Sequence, residues 1–546
     1  MQEDTQSPVR RRGRVLMIAG LLTALAVILG GLFLAPRLRR HLRMAQAQVQ
    51  WQPQLHFYAG PFWNNDPNGP ILLNGQYHLF YQLNPFGDLW GHMSWGHAVS
   101  PDLVHWKTLP VALAEENGVM IFNGATVEDR ENSSGLCGEA GKQSPGCLVA
   151  VYTGNGKNIQ NQNVAYSRNG GMTWTKYAGN PVIDLGLKDF RDPKIIWHEE
   201  SKSWVLAVVV PDRHKVQFYR SKNLIHWELA SEFGPAGALG DIWECPDIFA
   251  VQVRDADGKV LGSRWVLNVN VNPGGPSGGS ASQYFVGQFD GVRFVEDHPG
   301  SGVHWADWGK DFYASTSFSN IPGDQDRLWI AWLSNWQYAG KAPSLPGRGE
   351  MTLARRLSLR PIEVPAGQEP LVLVQEPVLP LPAHKADPGV WTVDAANTRL
   401  KERKAAGSVY QLSAVLEPGT ATEAGIRLRT GAGGEETVIG VDRAKGMIFV
   451  DRTHSGETGF SPDFPARTVA PLKHPQAKAV ALRIVVDRSS VEVFAENGET
   501  VLTNLIFPAA GSTGVAFYAY GASPDAASAR VRDLDFVALE SNQNHN

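Results

Sequence analysis

Three acidic residues of this chain stand in unusual local settings: Asp66 in "WNNDPNG", Asp192 in "FRDPK" and Glu244 in "WECPD". Each lies near an aromatic residue. One such residue alone would be explained by an Asx-type turn or by a carboxylate at the end of a strand. Three of them together favour an active site in which carboxyl groups converge on a substrate.

A repeated pattern indicates how residues so far apart in sequence could meet. A serine, a polar turn and an aromatic residue in a short strand recur as "SPDLVHWKTLP" from Ser100, "SRNGGMTWTKYAG" from Ser167, "SKNLIHWELAS" from Ser221 and, more weakly, "GQFDGVRFVED" from Gly287. The interval of about 55 to 65 residues suits a four-stranded blade with long loops. We therefore predict a five-bladed β-propeller over residues 50–360, whose inner strands converge on a central channel.

The composition of the sequence changes after the predicted propeller. Residues 361–389 are rich in proline and predict a linker that includes an edge strand. Seven strand-like runs follow, and this number of short strands in about 150 residues suggests a β-sandwich over residues 390–540. The predicted fold class is all-β.

Composition points in the same direction. The chain has 546 residues, 17 tryptophans, 56 glycines and 35 prolines, a profile typical of an all-β protein that handles carbohydrate. Its 50 basic and 54 acidic residues give a net charge of -4. We therefore expect no general affinity for nucleic acid or acidic lipid.

Residues 1–48 form a basic segment around an apolar run. The run from Val15 to Ala35 carries no charge and is long enough to cross a bilayer. "AQA" at Ala45–Ala47 has the small-x-small form of a signal peptidase site. A membrane anchor and a cleaved signal peptide are both compatible with this pattern. In either case we expect export, with any membrane contact confined to this segment.

Cysteine usage is sparse. Cys137 and Cys147 bracket a short polar segment, and export favours a disulfide between them over two buried thiols. Cys245 is left single. The sequence contains neither a CxxC nor an HExxH spacing, so we expect no metal and no cofactor.

The three acidic motifs, in this order, resemble those of the fructan-degrading glycoside hydrolases of family 32, which include invertases, inulinases and levanases. Further similar motifs are "FYQLNP", "WGHAVSPDLVHW", "DWGKDFYAS", "WLSNWQYA" and "VDRSSVEVF", so that the resemblance covers roughly residues 50–540. It implies that Asp66 is the nucleophile and Glu244 the general acid/base. It also implies that Asp192 stabilises the transition state by holding fructosyl hydroxyls.

The resemblance extends to aromatic and polar residues around these acids. The candidate sugar platforms are Trp90, Trp305 and Trp336, whereas the tryptophans of the repeats are expected in the core: Trp106, Trp174 and Trp227. Asn65 and Gln82 are candidate hydrogen-bond donors to the fructosyl unit. We assign no catalysis to His92 or His97. Where the family commonly has Phe-Ser-Gly-Ser, this chain has "FNGA" at Phe122–Ala125, which puts Asn123 near the fructosyl site and leaves the usual leaving-group contacts in doubt.

The local setting of each acid predicts its electrostatics. The residues of "FWNNDPNGP" predict a turn whose amides would lower the pKa of Asp66, with Trp63 as a wall of the sugar site. The apolar neighbours of Glu244 would raise its pKa, as a general acid requires. Arg191 is expected to offset the negative charge of the cluster.

"WLSNWQYA" is more similar to levanases and exo-inulinases than to plant vacuolar invertases. The favoured function is therefore an exo-acting fructan hydrolase, with levan as the first substrate. An invertase or a fructosyltransferase, acting on sucrose-type oligosaccharides at the same site, is the nearest alternative. A non-catalytic fructan-binding protein would be favoured by loss of a carboxylate, and none is lost. "WNNDPNG" argues against an arabinan-cleaving relative, and the sequence makes no prediction of oligomeric state.

Overall fold

The computed structural model describes residues 50–138, 147–323, 327–343, 347–382, 387–521 and 528–539. The chain divides into Met1–Gln50 and Trp51–Asn546. The basic and apolar segment of residues 1–48, predicted as a membrane anchor or a signal peptide, lies outside the described residues. Across the ranges given above, no helix has the length and apolar character needed to cross a membrane.

Three four-stranded antiparallel sheets follow one another along the chain. The first contains β1 (Trp63–Leu73), β2 (Gln76–Asn84), β3 (Ser94–Ser100) and β4 (Lys107–Leu113). The second contains β5 (Met120–Asp129), β6 (Cys147–Gly156), β7 (Ile159–Ser167) and β8 (Thr175–Lys176). The third contains β9 (Arg191–His198), β10 (Ser203–Val210), β11 (Lys215–Ser221) and β12 (Glu228–Phe233).

A nine-stranded sheet comes next. Its strands are β13 (Ile242–Arg254), β14 (Val260–Asn272), β15 (Ala281–Phe289), β16 (Phe294–Glu296), β17 (His304–Trp305), β18 (Tyr313–Ser317), β19 (Arg327–Trp332), β20 (Arg355–Pro361) and β21 (Leu371–Pro377). It consists of two antiparallel meanders, β13 to β16 and β18 to β21, which are joined where Val253 pairs with Leu359 in parallel. β17 pairs with β15, and β21 lies within the stretch predicted as a linker.

The first strand of each meander lies beside the first strand of the next. β1 contacts β5, β5 contacts β9, β9 contacts β13, β13 contacts β18, and β18 contacts β1. The three acidic motifs all lie on these strands: Asp66 on β1, Asp192 on β9 and Glu244 on β13. The fold therefore collects them at one place although they are far apart in sequence.

The C-terminal part of the chain has two facing antiparallel sheets. Its elements are β22 (Asp387–Thr392), α1 (Val393–Glu402), β23 (Tyr410–Glu417), β24 (Glu423–Thr430), β25 (Glu436–Asp442), β26 (Met447–His454), β27 (Arg467–Pro471), β28 (Val480–Val486), β29 (Ser490–Ala495), β30 (Thr500–Leu505), β31 (Gly514–Tyr520) and β32 (Arg530–Ala538). One sheet has the order β22-β32-β23-β28-β29-β30 and the other the order β27-β26-β25-β24-β31. Alternating apolar residues of both sheets, such as Leu412, Ile426 and Ile484, form a shared core.

Short helical elements complete the fold. Thr392 caps α1 by accepting a hydrogen bond from the backbone N–H of Ala395, and the helix buries Ala396 and Leu400. Single 3₁₀ turns lie at Pro211–Arg213, Ala339–Lys341 and Glu496–Gly498. The prediction of an all-β fold is confirmed.

The repeated Ser and Trp have a structural explanation. The indole N–H groups of Trp106, Trp174 and Trp227 donate to the backbone carbonyls of Leu103, Gly171 and Leu224, each three residues earlier. The repeated serines, Ser100, Ser167 and Ser221, accept backbone N–H groups of the same turns. The tryptophans pack against apolar clusters, which confirms their predicted structural role.

Cys137 and Cys147 form the predicted disulfide, with their Cα atoms 5.6 Å apart. Cys245 has no disulfide. The segment between the paired cysteines lies largely outside the described residues. The bond ties the loop that follows β5 to the start of β6, and both cysteines belong to an apolar cluster with Val149 and Leu206.

A buried network of charges joins the N-terminal sheets to the C-terminal ones. His56 Nδ1 lies 2.8 Å from Asp487 Oδ2, and His56 Nε2 lies 2.8 Å from Glu492 Oε1. Arg355 bridges Glu492 Oε2, at 2.6 Å, and Asp307 Oδ2, at 3.0 Å. All of these side chains are shielded from solvent. Paired ions therefore form part of the contact between the two parts of the chain, beside apolar clusters that contain Leu353 with Val485 and Leu333 with Phe507.

The network fixes the charge of His56. Desolvation disfavours the imidazolium, but the hydrogen bonds and charges of Asp487 and Glu492 outweigh it and raise the pKa of His56 from 6.5 to about 10. Because the folded pKa exceeds the unfolded one, this stabilisation is fully present below pH 6.5 and is lost as the pH rises through about 10.

We predict that His56→Gln lowers the melting temperature by several °C at pH 7, because removing one partner from a buried ion network costs roughly 3 to 5 kcal/mol. The difference from the wild type should shrink as the pH approaches 10. The measurement is thermal unfolding between pH 6 and 10, with exposed His226→Gln as the matched control. A pH-independent difference would contradict the charged state assigned to His56.

Candidate active site

Asp66 lies in a β-bulge, and the predicted turn at Phe62–Pro70 is wrong. Residues Trp63–Leu73 form β1, in which Asn64 pairs with Leu83 and Pro67 pairs with Tyr81. Asn65 and Asp66 therefore both face the single residue Gln82 on β2. A bulge bends its strand and re-aims the side chains, and it tolerates the Asn, Pro and Gly residues that also favour turns.

The same irregularity recurs in the first strand of every meander. The additional bulges are Phe122–Asn123 opposite Thr153, Asp192–Pro193 opposite Val208, Cys245–Pro246 opposite Val269, and Ala314–Ser315 opposite Ala331. Asp192, Cys245 and Ala314 have positive φ angles of 67°, 46° and 53°. Such backbone is unfavourable for residues other than glycine and is typical of functional sites.

The bulges bring both Asp66 and Asp192 close to the sulfur of Cys245. The Cys245 sulfur lies 3.7 Å from Asp66 Oδ2 and 3.6 Å from Asp192 Oδ2. The backbone N–H of Cys245 donates to Asp192 Oδ2 at 3.0 Å. Asn123 Nδ2 donates to Asp66 Oδ2 at 2.7 Å. Asp66, Asn123, Asp192 and Cys245 thus come from four different strands.

Glu244 completes the acidic cluster, and both of its carboxylate oxygens accept hydrogen bonds. Arg191 Nη2 and Nε lie 3.0 Å and 3.2 Å from Glu244 Oε1, and the hydroxyl of Tyr313 donates to Glu244 Oε2. Arg191 also lies 3.8 Å from Asp192 Oδ2 and is held by Asp189 and Gln160. One guanidinium therefore contacts two of the three carboxylates.

Two of the three carboxyl groups, Asp66 and Asp192, have pKa values above their ordinary range. Burial raises the pKa of Asp66 to about 6, and the charge of Glu244 adds to this, whereas hydrogen bonds from Asn123 and Asn65 oppose it. The expectation of a lowered pKa for Asp66 is therefore wrong, because desolvation outweighs the hydrogen bonds. Burial likewise raises the pKa of Asp192 to about 7, against the charge of Arg191.

Two buried polar atoms of the site have no hydrogen-bond partner among the described residues. Within the described ranges, Asp66 Oδ1 and Gln82 Nε2 have no hydrogen-bond partner, although both residues are buried. Leaving such atoms unpaired costs about 1 to 3 kcal/mol each. They are therefore candidates for contact with substrate hydroxyls.

The predicted aromatic residues have different environments. Trp63 is only 1% exposed, donates from Nε1 to Asn65 Oδ1 at 2.8 Å, and stacks on the half-buried Trp336 at 5.9 Å between ring centroids. Because it is buried, Trp63 supports other residues of the site more than it forms the surface of the site. Trp90 is 47% exposed and contacts Phe122 edge-on. Trp305 packs on the apolar cluster that contains Trp243, and no contact brings it to the carboxylates among the described residues.

Sequence reasoning missed Cys245 and Tyr313 as parts of the site. Both lie inside quoted motifs, "WECPD" and "DWGKDFYAS", so the available signal was their place within those motifs and not their residue type. Trp332, which packs on Trp63 and Trp336, was also missed. In the part of the chain that the structure describes, no group of His, Cys, Asp and Glu side chains has a metal-binding arrangement.

Comparison with known families identifies the relatives of this site. The sequence model of the glycosyl hydrolases family 32 N-terminal domain matches residues 56–377, and that of the family 32 C-terminal domain matches residues 383–535. The chain belongs to glycosyl hydrolase family 32. This confirms the resemblance found from the motifs.

Several members of family 32 are similar over most of the chain. A levanase of Bacillus subtilis is 45% identical over 478 residues, which are 86% of this chain and 68% of the relative. An extracellular exo-inulinase of Aspergillus awamori is 38% identical over 495 residues, covering 84% and 90% of the two chains.

Two crystal structures from the family are also similar. The exo-inulinase of Aspergillus awamori superimposes with a TM-score of 0.79 at 36% identity, covering 90% of this chain and 98% of the relative. A β-fructofuranosidase of Schwanniomyces occidentalis complexed with fructosyl-erythritol gives a TM-score of 0.77 at 31% identity, with coverages of 89% and 98%.

We predict that Asp66→Asn raises the melting temperature at pH 8. The pKa of Asp66 is raised from 3.8 to about 6, so its contribution to stability is greatest below pH 3.8 and falls as the pH rises through 6. Relief of this penalty is worth roughly 2 to 3 kcal/mol above pH 6. Thermal unfolding at pH 8 and pH 4, with exposed Asp257→Asn as control, should show the gain at the higher pH alone.

Proposed function

We propose that this chain is an exo-acting fructan β-fructosidase that hydrolyses terminal β-D-fructofuranosyl linkages with retention. The proposal is carried by Asp66, which is buried and has one oxygen free of hydrogen bonds from the described residues, in a cluster with two further carboxyl groups. A retaining glycosidase needs such a nucleophile together with a second carboxyl group that handles protons. The relatives named levanase and exo-inulinase support the same reaction class.

The roles follow from the surroundings of each carboxyl group. Asp66 attacks the anomeric carbon, and the glycosidic C–O bond breaks as its electron pair passes to the leaving oxygen. Glu244 gives that oxygen a proton. Water then attacks the same carbon, Glu244 accepts the proton of the water, and the bond to Asp66 breaks. Glu244 suits the proton-transfer role because its side chain is 17% exposed, so that it can exchange protons with solvent, and because the hydroxyl of Tyr313 holds it in place.

Asp192 is proposed to hold hydroxyls of the fructosyl unit. Burial raises its pKa to about 7, so near neutral pH it can serve as both donor and acceptor toward sugar hydroxyls. Asn65 shares the bulge with Asp66, and Gln82 lies opposite this bulge; both are proposed as further contacts to the same unit. Trp90 and Trp336 are the proposed aromatic platforms, and the assignment of Trp305 lacks support from its packing.

We further propose that the five antiparallel meanders form a five-bladed β-propeller, followed by a β-sandwich from residue 390. The successive contacts of β1, β5, β9, β13 and β18, with β18 returning to β1, support a closed ring. Bulges in all five first strands support the equivalence of the blades. The site then lies at the centre of the ring.

Exo-cleavage is supported by a buried ion pair that lies farther along the first strands than the carboxylates. Lys194 follows Asp192 along β9, and Asp247 follows Glu244 along β13. Lys194 Nζ lies 3.3 Å from Asp247 Oδ1 and 2.6 Å from the carbonyl oxygen of Ser317, and all three residues are buried. A channel blocked by this ion pair accepts a terminal sugar and leaves no path for a chain to pass through.

Levan is the first proposed substrate, and we infer export. The relatives named levanase and extracellular exo-inulinase support both points. An enzyme that prefers sucrose is the second candidate, since a β-fructofuranosidase shares the fold at a TM-score of 0.77.

We predict that free fructose is the main early product from levan and inulin. The measurement is a time course of products from levan, inulin and sucrose, with wild-type enzyme and Asp66→Ala run side by side. Early accumulation of oligosaccharides would contradict exo-cleavage. A preference for sucrose would favour an invertase, and products longer than the substrate would favour a fructosyltransferase. Binding without any turnover would favour the non-catalytic alternative.

We predict that Glu244→Ala lowers kcat/KM on fructan or sucrose by about 10²- to 10⁴-fold, because the leaving group needs a proton. The loss should be much smaller on a β-fructofuranoside with a good leaving group, whereas Asp66→Ala should abolish turnover of both. Exposed Glu228→Ala is the matched control. Equal losses on both substrate types in Glu244→Ala, with turnover surviving in Asp66→Ala, would reverse the assignment.

A further inference from the structure

The side chain that contacts the proposed nucleophile is the one at which this chain departs from the common family pattern. Asn123 occupies the second position of "FNGA", where the family commonly has serine. It is the second residue of the bulge Phe122–Asn123 in β5, opposite Thr153, and is only 9% exposed. The bulge directs this side chain toward Asp66 on the neighbouring first strand, β1.

Asn123 makes the two oxygens of Asp66 unequal. Its Nδ2 donates to Asp66 Oδ2 at 2.7 Å and also lies 3.1 Å from the Cys245 sulfur. That sulfur lies 3.7 Å from the same Oδ2. Asp66 Oδ1 is buried and accepts no hydrogen bond from any described residue. One oxygen is therefore held by donors, and the other keeps its lone pairs available.

This asymmetry suits each stage of a retaining reaction. A carboxylate oxygen that accepts hydrogen bonds has lone pairs engaged and is the poorer nucleophile, so the free oxygen attacks. In the resulting ester the attacking oxygen joins the anomeric carbon and Oδ2 becomes the carbonyl oxygen, which still accepts the amide N–H of Asn123. The contact therefore persists from the carboxylate through the covalent intermediate.

We infer that Asn123 is a positioning residue that holds one oxygen of Asp66 and leaves the other as the attacking atom. The inference rests on the proposed function, because it presumes that Asp66 is the nucleophile. A serine at the same place ends one bond shorter than Nδ2, so that its hydroxyl would lie farther from Asp66 Oδ2 at the same backbone position. The arrangement thus depends on the asparagine of this chain.

The test measures kcat/KM against pH with a β-fructofuranoside that carries a good leaving group. Such a substrate needs no proton from Glu244, so the acid limb of the profile reports the ionisation of the nucleophile. In Asn123→Leu, which keeps the shape and removes the donor, the acid limb should move upward by about one unit. The plateau should fall about tenfold to a hundredfold, as when one donor to a reacting oxygen is lost.

Two further variants make the test decisive. Asn123→Ser, the residue common in the family, should move the acid limb in the same direction and carries the test if Asn123→Leu does not fold. Asn397→Leu is the matched control, because Asn397 bonds the backbone of Phe517 in the C-terminal sheets. It should lower the melting temperature without moving either limb. If the acid limb stays fixed in the folded Asn123 variants and only KM is raised, Asn123 contacts the sugar and does not position Asp66.

The identity of the attacking oxygen can be observed directly. In Glu244→Ala, the same activated substrate should form the fructosyl ester and its hydrolysis should be slow, so a crystal structure can capture it. The oxygen bonded to the sugar should be the one that faces away from Asn123, and the opposite arrangement would overturn the inference. Failure of the wild type to turn over any fructoside would instead refute the proposed function, whereas a fixed acid limb with normal wild-type turnover refutes only the role of Asn123.

Discussion

The packing of three carboxyl groups around one cysteine is the constraint on which the rest of the site depends. Asp66 and Asp192 both lie within 3.7 Å of the Cys245 sulfur, and Glu244 is its neighbour in sequence. Like charges this close in a buried setting repel strongly, so not all of them can be ionised without a cation and hydrogen-bond donors nearby. Arg191 supplies that cation. Burial is the main cause of the raised pKa values of Asp66 and Asp192, and the charge of Glu244 adds to it.

The contact between the two parts of the chain also pairs buried carboxylates with cations, but it has two cations where the site has one. There His56 stands between Asp487 and Glu492, and Arg355 adds a second cation beside Glu492. The hydrogen bonds and charges of these two cations lower the pKa values of Asp487 and Glu492 although burial opposes this. Asp307, the third anion of the network, keeps a raised pKa because burial outweighs the charge of Arg355. The cations and hydrogen-bond donors that face each carboxylate, set against its burial, decide whether it stabilises the fold or is kept reactive at some expense of stability.

Sequence alone predicted the all-β class, the disulfide, the packing of the repeat tryptophans and the three acidic residues, because each depends on residue type and local pattern. It failed at "WNNDPNG", where Asn, Pro and Gly suggested a turn. These residues are equally suited to a bulge, and only the register of β1 against β2 distinguishes the two. The pKa of Asp66 was mispredicted for a related reason. Its burial results from the approach of Asn123 and Cys245, which lie on other first strands.

The five first strands explain why Asn123 and Tyr313 stand where they do. Each strand brings a side chain from its bulge or from the residue just before it: Asp66, Asn123, Asp192, Glu244 and Tyr313. Three of these positions carry carboxyl groups and two carry neutral donors, and each donor contacts a carboxylate, Asn123 on Asp66 and Tyr313 on Glu244. A fourth or fifth carboxyl group would add repulsion that Arg191 already fails to cancel. First strands that lie side by side therefore accommodate an acidic site only if some of their positions carry uncharged donors, and those donors then determine which carboxylate oxygens stay free to react.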